Sequence, residues 1–362
     1  MNNQIKHIFI LICLFFAIGI TPLTAAGGTS EEGKVDIAGM ITGHLGDDYE
    51  WHILTWDDKH VSIPLPIIVK GENSGWQVFL SSKFHHKEHE YNGFYIAKDG
   101  PYAGKVVEKN SAGEEIRPWD ISITKNTLSL IMSSFLVVIL IMITARWYKK
   151  NNADKEPKAP RGFVGFMEMF IMSINDDVIR PCIGKNYKKF APYLLTAFFF
   201  IFTNNILGLI PIFPGGANVT GNLAVTGVLA IFTFIMVNFF GTKEYWKEIF
   251  WPEVPAWLKV PLPIMPVIEL VGVLTKPFAL MIRLFANILA GHSIILGLMS
   301  LIFVTASLGA VLNTSLSAVS VGMTIFMNLV EILVAYIQAY VFTMLSAVFI
   351  GLAQVEPHKQ KH

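Results

Sequence analysis

The sequence predicts an all-α polytopic membrane protein: about five transmembrane helices, one interfacial amphipathic helix, and a small exported N-terminal region of mixed or irregular structure. Three observations predict it. Of 362 residues, 53% are hydrophobic and only 15% charged, with mean hydropathy +0.50, more apolar surface than soluble domains of this size can bury. After Trp119 the apolar runs reach the length that a bilayer requires, about 20 residues. Lys and Arg cluster at alternate ends of those runs, which assigns sides to the membrane. Composition also excludes. With 28 basic and 27 acidic residues the net charge is +1, so no bulk field draws nucleic acid and no such partner is expected. Two cysteines, Cys13 and Cys182, are too few for a disulfide framework or a thiolate metal site.

Residues 1–26 have the parts of a secretory signal: Lys6, an apolar run from Ile8 to Ile20, and small residues at Thr24, Ala25 and Ala26. The alternative is an uncleaved first span, for which the run is short. Bulky Ile12 argues against lipidation of Cys13. Residues 27–120 are polar, with short alternating runs such as Val61 to Val69 that read as strands or loops, and form an exported head. Within it His85, His86 and His89, beside Glu88 and Glu90, have the helical spacing of metal ligands. A solvated charged loop explains them as well, and no metal or cofactor is expected.

Residues 121–356 make the membrane domain. Thr127 to Ala145 is a first span, and Arg146, Lys149, Lys150, Lys155, Lys158 and Arg161 after it mark the inside, leaving the head outside. From Gly162 to Phe190, apolar Phe163, Phe166, Phe170, Ile174 and Val178 recur at helical spacing beside Asp176, Asp177 and Arg180, which suits a helix in the interface. Two further spans run from about Pro192 to Ile212 and from Leu223 to Gly241, joined by a turn at Pro214 to Gly216. The glycosylation sequon at Asn218 to Thr220, in so short a loop, is read as fortuitous. Lys243, Lys247 and Lys259 lie inside, in a Trp- and Pro-rich stretch to Pro263 at headgroup level. Ile264 to Leu308 and Ser317 to Ala353 are the last two spans, both long, and the tail 357–362, with Lys359 and Lys361, is inside.

Ionisable and amide side chains within spans are costly and point to function. The fourth span carries Glu269, Lys276, Arg283, Asn287 and His292; the fifth carries Asn328, Glu331 and Gln338. Steps of seven residues from Glu269 to Lys276 to Arg283, then four to Asn287, draw one polar stripe, and Arg283 stands about 21 Å along the helix from Glu269. His292, nine residues past Arg283, turns to the opposite side. Glu331 and Gln338 share a face, so antiparallel packing can bring Glu331 to the depth of His292 and Gln338 to that of Arg283. An arginine holds its proton, so it serves as a fixed cation that binds and releases a passing carboxylate. A His and a Glu can take up protons from one side, while Glu269 offers a separate path to the other. The bland alternative is interhelical glue, which suits Asn328 and Lys276 equally well.

The segment from Lys276 to His292, with Arg283-Leu284-Phe285-Ala286-Asn287-Ile288-Leu289-Ala290-Gly291 at its centre, resembles the signature of the a subunit of F-type ATP synthases. The resemblance extends to Glu269, Glu331, Gln338 to Phe342, and Asn204 to Pro211, and covers roughly residues 120–355. It implies a proton-translocating stator subunit of a bacterial inner membrane, not catalytic by itself. The implied partners are a ring of c subunits faced by the last two helices, a b-subunit peripheral stalk, the remainder of the complex, and the bilayer. By the same resemblance Arg283 is the stator arginine, Asn287 and Gln338 its neighbours, Glu269 the acid of the cytoplasmic half-channel, and His292 with Glu331 the outer pair. Gly208 departs from the pattern, standing where some bacterial members have an acid. Whether the ion is a proton or sodium is set by the ring's carboxylate, on another chain. A secondary transporter would need an internal repeat, and a membrane hydrolase a Gly-x-Ser-x-Gly or His-Glu-x-x-His motif; neither is found.

Overall fold

The computed structural model describes residues 46–56, 59–72, 74–84, 89–98, 100–110, 113–151, 159–210, 215–251, 264–305 and 310–354. The signal of residues 1–26 with Cys13, the residues His85, His86 and Glu88, the basic Lys155, Lys158 and Lys259, Pro214, the stretch 252–263 and the tail 357–362 lie outside the described residues. Among the described residues no group of three or more His, Cys, Asp or Glu side chains is arranged to hold a metal.

The run Val61 to Val69 divides where Pro64 and Pro66 deny the ladder their N–H groups. Strand β2 (Lys59–Pro64) pairs antiparallel with β1 (Glu50–Trp56), whereas β3 (Pro66–Gly71) is the middle of a second sheet between β4 (Gly75–Leu80) and β8 (Trp119–Asp120). A third sheet has the order β5 (Phe94–Ile96), β6 (Val106–Lys109), β7 (Glu115–Ile116). Alternation then decides the core: Ile67 and Val69 of β3 point inward with Tyr49, Phe79, Phe84, Phe94 and Val106, while Lys70 points out.

The described residues of the head and of the helical domain belong to one compact unit. At the junction the carbonyl of Asp48 accepts from the N–H of Lys125 and the Asp47 carboxylate from that of Asn126, at 2.9 and 3.1 Å, satisfying donors that the first helical turn leaves free. Helix α1 (Lys125–Asn151) is the first apolar helix.

From 163 to 209 the chain is helical with little interruption: α2 (Phe163–Ser173), a π-helical turn (Ile174–Ile179), one α turn (Arg180–Ile183), a 3-10 turn (Gly184–Asn186) and α3 (Tyr187–Leu209). The break is at Gly184, whose φ of +73° favours a residue without Cβ. Thus Phe190 belongs to the second apolar helix, which starts before Pro192 rather than at it. The amphipathic face is also rephased. Phe163 and Phe166 are exposed, and the buried face runs Val164, Met167, Ile174, Val178, Ile179 and Ile183. The π turn inserts an extra residue, which accounts for two neighbours, Val178 and Ile179, both facing inward.

Helix α4 (Leu223–Phe239) starts at an Asn222 cap, whose side chain accepts from the N–H of Ala224. Its 17 residues span about 26 Å, slightly less than a hydrocarbon core, and it bends by 99° into α5 (Lys243–Phe250), capped by Thr242. Among the described residues four helices are long and apolar enough to cross a membrane, and the bent pair makes up to five. The last two are α6 (Ile264–Val304) and α7 (Ala310–Ala353), 41 and 44 residues, the latter beginning seven residues before Ser317. Each is about twice the length that a perpendicular crossing requires, so both must run strongly inclined. Helix α7 packs on α6 and α3 around a core of Phe198, Leu194, Leu280, Leu284, Ala339 and Phe342.

Candidate functional site

Helix α6 has two unlike faces. Leu280, Leu284 and Ile288, spaced by four, are buried against the neighbouring helices. Val271, Leu274, Phe278 and Ile282 look outward. Arg283 and Asn287 are on the outward face, with small Ala279, Ala286 and Ala290 around them. Among the described residues Arg283 has no hydrogen-bond or ion-pair partner. Asn287 reaches across to α7, where its Nδ2 donates to Oε1 of Gln338 at 2.7 Å, and Gln338 is 2% exposed.

His292, on the opposite side of α6, is enclosed. Its Nδ1 is in direct hydrogen-bond contact with Oε1 of Glu331 on α7, and the two side chains are 15% and 4% exposed. A carboxylate buried so deeply needs a partner to offset its desolvation. The second oxygen, Oε2, has none among the described residues, so an accepting site remains in the interior. Room for Glu331 comes from Gly291: a Cβ there would lie 2.8 Å from Oε1. Gly208 of α3 borders the imidazole, since a Cβ there would lie 3.6 Å from Nε2. The departure noted in the sequence therefore falls beside the ring itself.

Antiparallel α6 and α7 thus bring His292 and Glu331 together, the pair that the spacing suggested, whereas Gln338, expected at the depth of Arg283, bonds to Asn287 one helical turn further along α6. Glu269 and Lys276 are not gathered with them. Lys276 extends its ammonium over the Phe349 ring, 5.7 Å from the centroid. It lines a small cleft with Thr233, Asn238 and Tyr245, where about 10 Å³ admits a water-sized sphere, enough for about one molecule. Tyr245 donates to Asn238 at 3.3 Å and lies within electrostatic reach of Glu269. Among the described residues Asn328 bonds to the Thr324 carbonyl of its own helix and to no other helix.

Sequence reasoning assigned no role to several buried polar residues. Asn204 accepts from the Ser133 hydroxyl at 2.8 Å; Asn205 accepts from Thr220 at 2.7 Å and donates to the Ala335 carbonyl at 3.2 Å. The available signal was two adjacent amides in an otherwise apolar run. Asn218 is only 6% exposed, and its Oδ1 accepts the N–H of Gly221, so the sequon is closed to a glycan.

A family model described as ATP synthase A chain matches residues 130–351, and a domain of unknown function matches residues 40–124. The chain is 43% identical over 249 residues to ATP synthase subunit a 2 of Chlorobaculum tepidum, covering 68% of this chain and 67% of that one. It is 43% identical over 251 residues to ATP synthase subunit a of Chlorobium phaeobacteroides, with 67% and 68% covered. With ATP synthase subunit a of Myxococcus xanthus the identity is 40% over 273 residues, covering 72% and 83%.

Proposed function

The chain belongs to the ATP synthase A chain family, and from that premise we propose that Arg283 is the fixed cation past which protons are carried, with separate access paths on its two sides. The protein is a multi-pass, proton-translocating stator subunit of the membrane sector, working with the rest of the ATP synthase complex. On our reading its direct partners are a ring of c subunits and a b-subunit stalk. Residues 27–120 lie outside the bacterial inner membrane after removal of the 1–26 signal, the domain 121–356 spans it, and the tail 357–362 is inside.

The observation that carries this reading is the exposure, on a largely apolar face, of an arginine that has no partner among the described residues. A guanidinium facing lipid costs several kcal/mol. A carboxylate on an adjacent chain removes that cost, and the alanines around Arg283 let such a chain approach closely. Arg283 does not relay the proton, because it stays protonated. A proton reaches the His292–Glu331 pair from outside, passes to a ring carboxylate, and the neutral acid turns away through lipid. On its return Arg283 attracts the carboxylate and the proton leaves toward Glu269. Asn287 and Gln338 hold each other beside Arg283 and can hydrogen-bond the acid in either protonation state. Since the two paths meet only through the ring, no proton crosses without turning it.

The test is ATP-driven acidification of inverted vesicles that carry the whole complex with Arg283→Ala. Loss of pumping by an assembled complex is expected; pumping at the wild-type rate overturns the assignment.

A further inference from the structure

The segment before the first span has no task in that reading, yet its packing leads to the buried pair. Trp51 of β1 is 3% exposed and lies on Ala217 and Val219, 2% and 1% exposed, in the loop between α3 and α4. That loop, from Gly215 to Gly221, has three glycines among seven residues, and Gly216 has a φ of +76°. Such a sequence is costly to hold in one conformation. A large aromatic plate supplies the burial that the loop's own side chains lack.

The loop touches the site in two ways. Thr220 is bonded through Asn205 to the Ala335 carbonyl, one helical turn beyond Glu331. The Ala217 carbonyl lies 3.5 Å from the place where a side chain at Gly208 would begin, and His292 Nε2 lies 3.6 Å from the same place. The head therefore packs on the loop, and the loop and the imidazole both border Gly208. Asn218, within the loop, keeps a buried Nδ2 with no partner among the described residues.

We propose that Trp51 is a positioning residue for proton uptake: it clamps the 215–221 loop so that the Ala217 carbonyl and the Asn205–Thr220 pair stay beside His292 and Glu331. The inference rests on the function proposed above. Few other charges bear on the pair. The ionisable groups of α3, Tyr187, Lys188, Lys189 and Tyr193, are about 22 Å or more from Gly208 along the helix, and α4 carries none. On α6 the next charge is Arg283, nine residues away, and on α7 the next ionisable group is Tyr336, five away. Asp47, Asp48 and Glu50 lie where β1 meets α1.

The experiment is ATP synthesis by the whole complex in liposomes at fixed membrane potential, with pH varied on the side of the N-terminal segment. Trp51→Ala is expected to lower the rate on the order of tenfold, as small misplacements do, and to displace the rate–pH profile. Trp51→Phe restores both. An assembled Trp51→Ala complex with an unmoved profile overturns the inference, whether or not its rate falls. If Trp51→Ala does not assemble, Thr220→Val cuts the loop's tether and leaves the head intact; a displaced profile supports the inference and an unmoved one overturns it. His292→Ala separates the two readings. If it leaves synthesis unchanged, the proposed uptake path itself fails; if it stops synthesis while Trp51→Ala is silent, only the clamp fails.

Discussion

Arg283 and His292, nine residues apart on one helix, have opposite surroundings: the first is exposed and unpartnered within the described residues, the second closed against Glu331 of the neighbouring helix. In water the difference would be small, because solvent satisfies what the protein does not. In hydrocarbon it is large, since a polar group must find its partner in a protein. Burial therefore marks a group whose partner belongs to this chain, and exposure one whose partner arrives on another. The Asn287–Gln338 bond bridges the two conditions, joining an exposed amide to a buried one.

Glu331→Ala tests the closed side most severely. It removes the hydrogen-bond partner of the His292 ring and a titrating group from the outer path. Proton-driven ATP synthesis by the assembled complex should fall roughly a hundredfold, the low end of what a lost proton-transfer group costs. The double variant with His292→Ala should be hardly worse than either single one, because paired residues are not additive. Additive losses would mean two independent roles and break the comparison. At the boundary, Gln338→Ala deletes one neutral hydrogen bond and leaves Arg283 in place. Pumping should drop by about fivefold, the equivalent of about 1 kcal/mol, and a fall as deep as that of Arg283→Ala would make Gln338 part of the cation's own function.

A half-buried donor–carboxylate pair in the head provides a control that moves no ions. Tyr49 donates to Asp120, and burial, then that bond and the carboxylate's charge, push the phenol above its usual range. A folded value above the unfolded one means that the neutral phenol stabilises the fold below about pH 10 and that the contribution is lost as pH rises beyond it. Tyr49→Phe should cost about 1.5–3 kcal/mol at neutral pH, the range for a bond to a charged group. It should also remove this alkaline sensitivity, read by protease resistance of the head in the whole complex, with pumping unchanged at neutral pH.

The spans and the His292–Glu331 pair were legible because helices impose periods: seven residues from Glu331 to Gln338 keep them on one face, and nine from Arg283 to His292 reverse it, but the same periods set Gln338 only at the depth of Arg283 and did not foretell its bond to Asn287. The phase of the segment after Gly162 was not legible, because a π turn is a tertiary accommodation with no pattern of its own. Nor was the division of Val61 to Val69 between two sheets, although Pro64 and Pro66 were in view. Trp51 was beyond reach: its partners Ala217 and Val219 are more than 160 residues away, and no period links a strand to a loop at that separation.

The smallest expected effect tests whether burial alone signifies function. Ser133 of α1 donates to Asn204 of α3, and both are 2% exposed or less. Such bonds between membrane helices are worth about 0.6 kcal/mol on average, because polar groups of the unfolded helices also find partners in the bilayer. Ser133→Ala should therefore lower the denaturation midpoint of the assembled complex slightly and leave pumping and its pH profile where they were. The serine is as buried as Glu331, but its hydroxyl neither titrates in the working range nor borders an unfilled accepting site. What separates transport from glue is then not burial but a titratable group with unused hydrogen-bonding capacity, and Glu331 Oε2 supplies it where Ser133 does not.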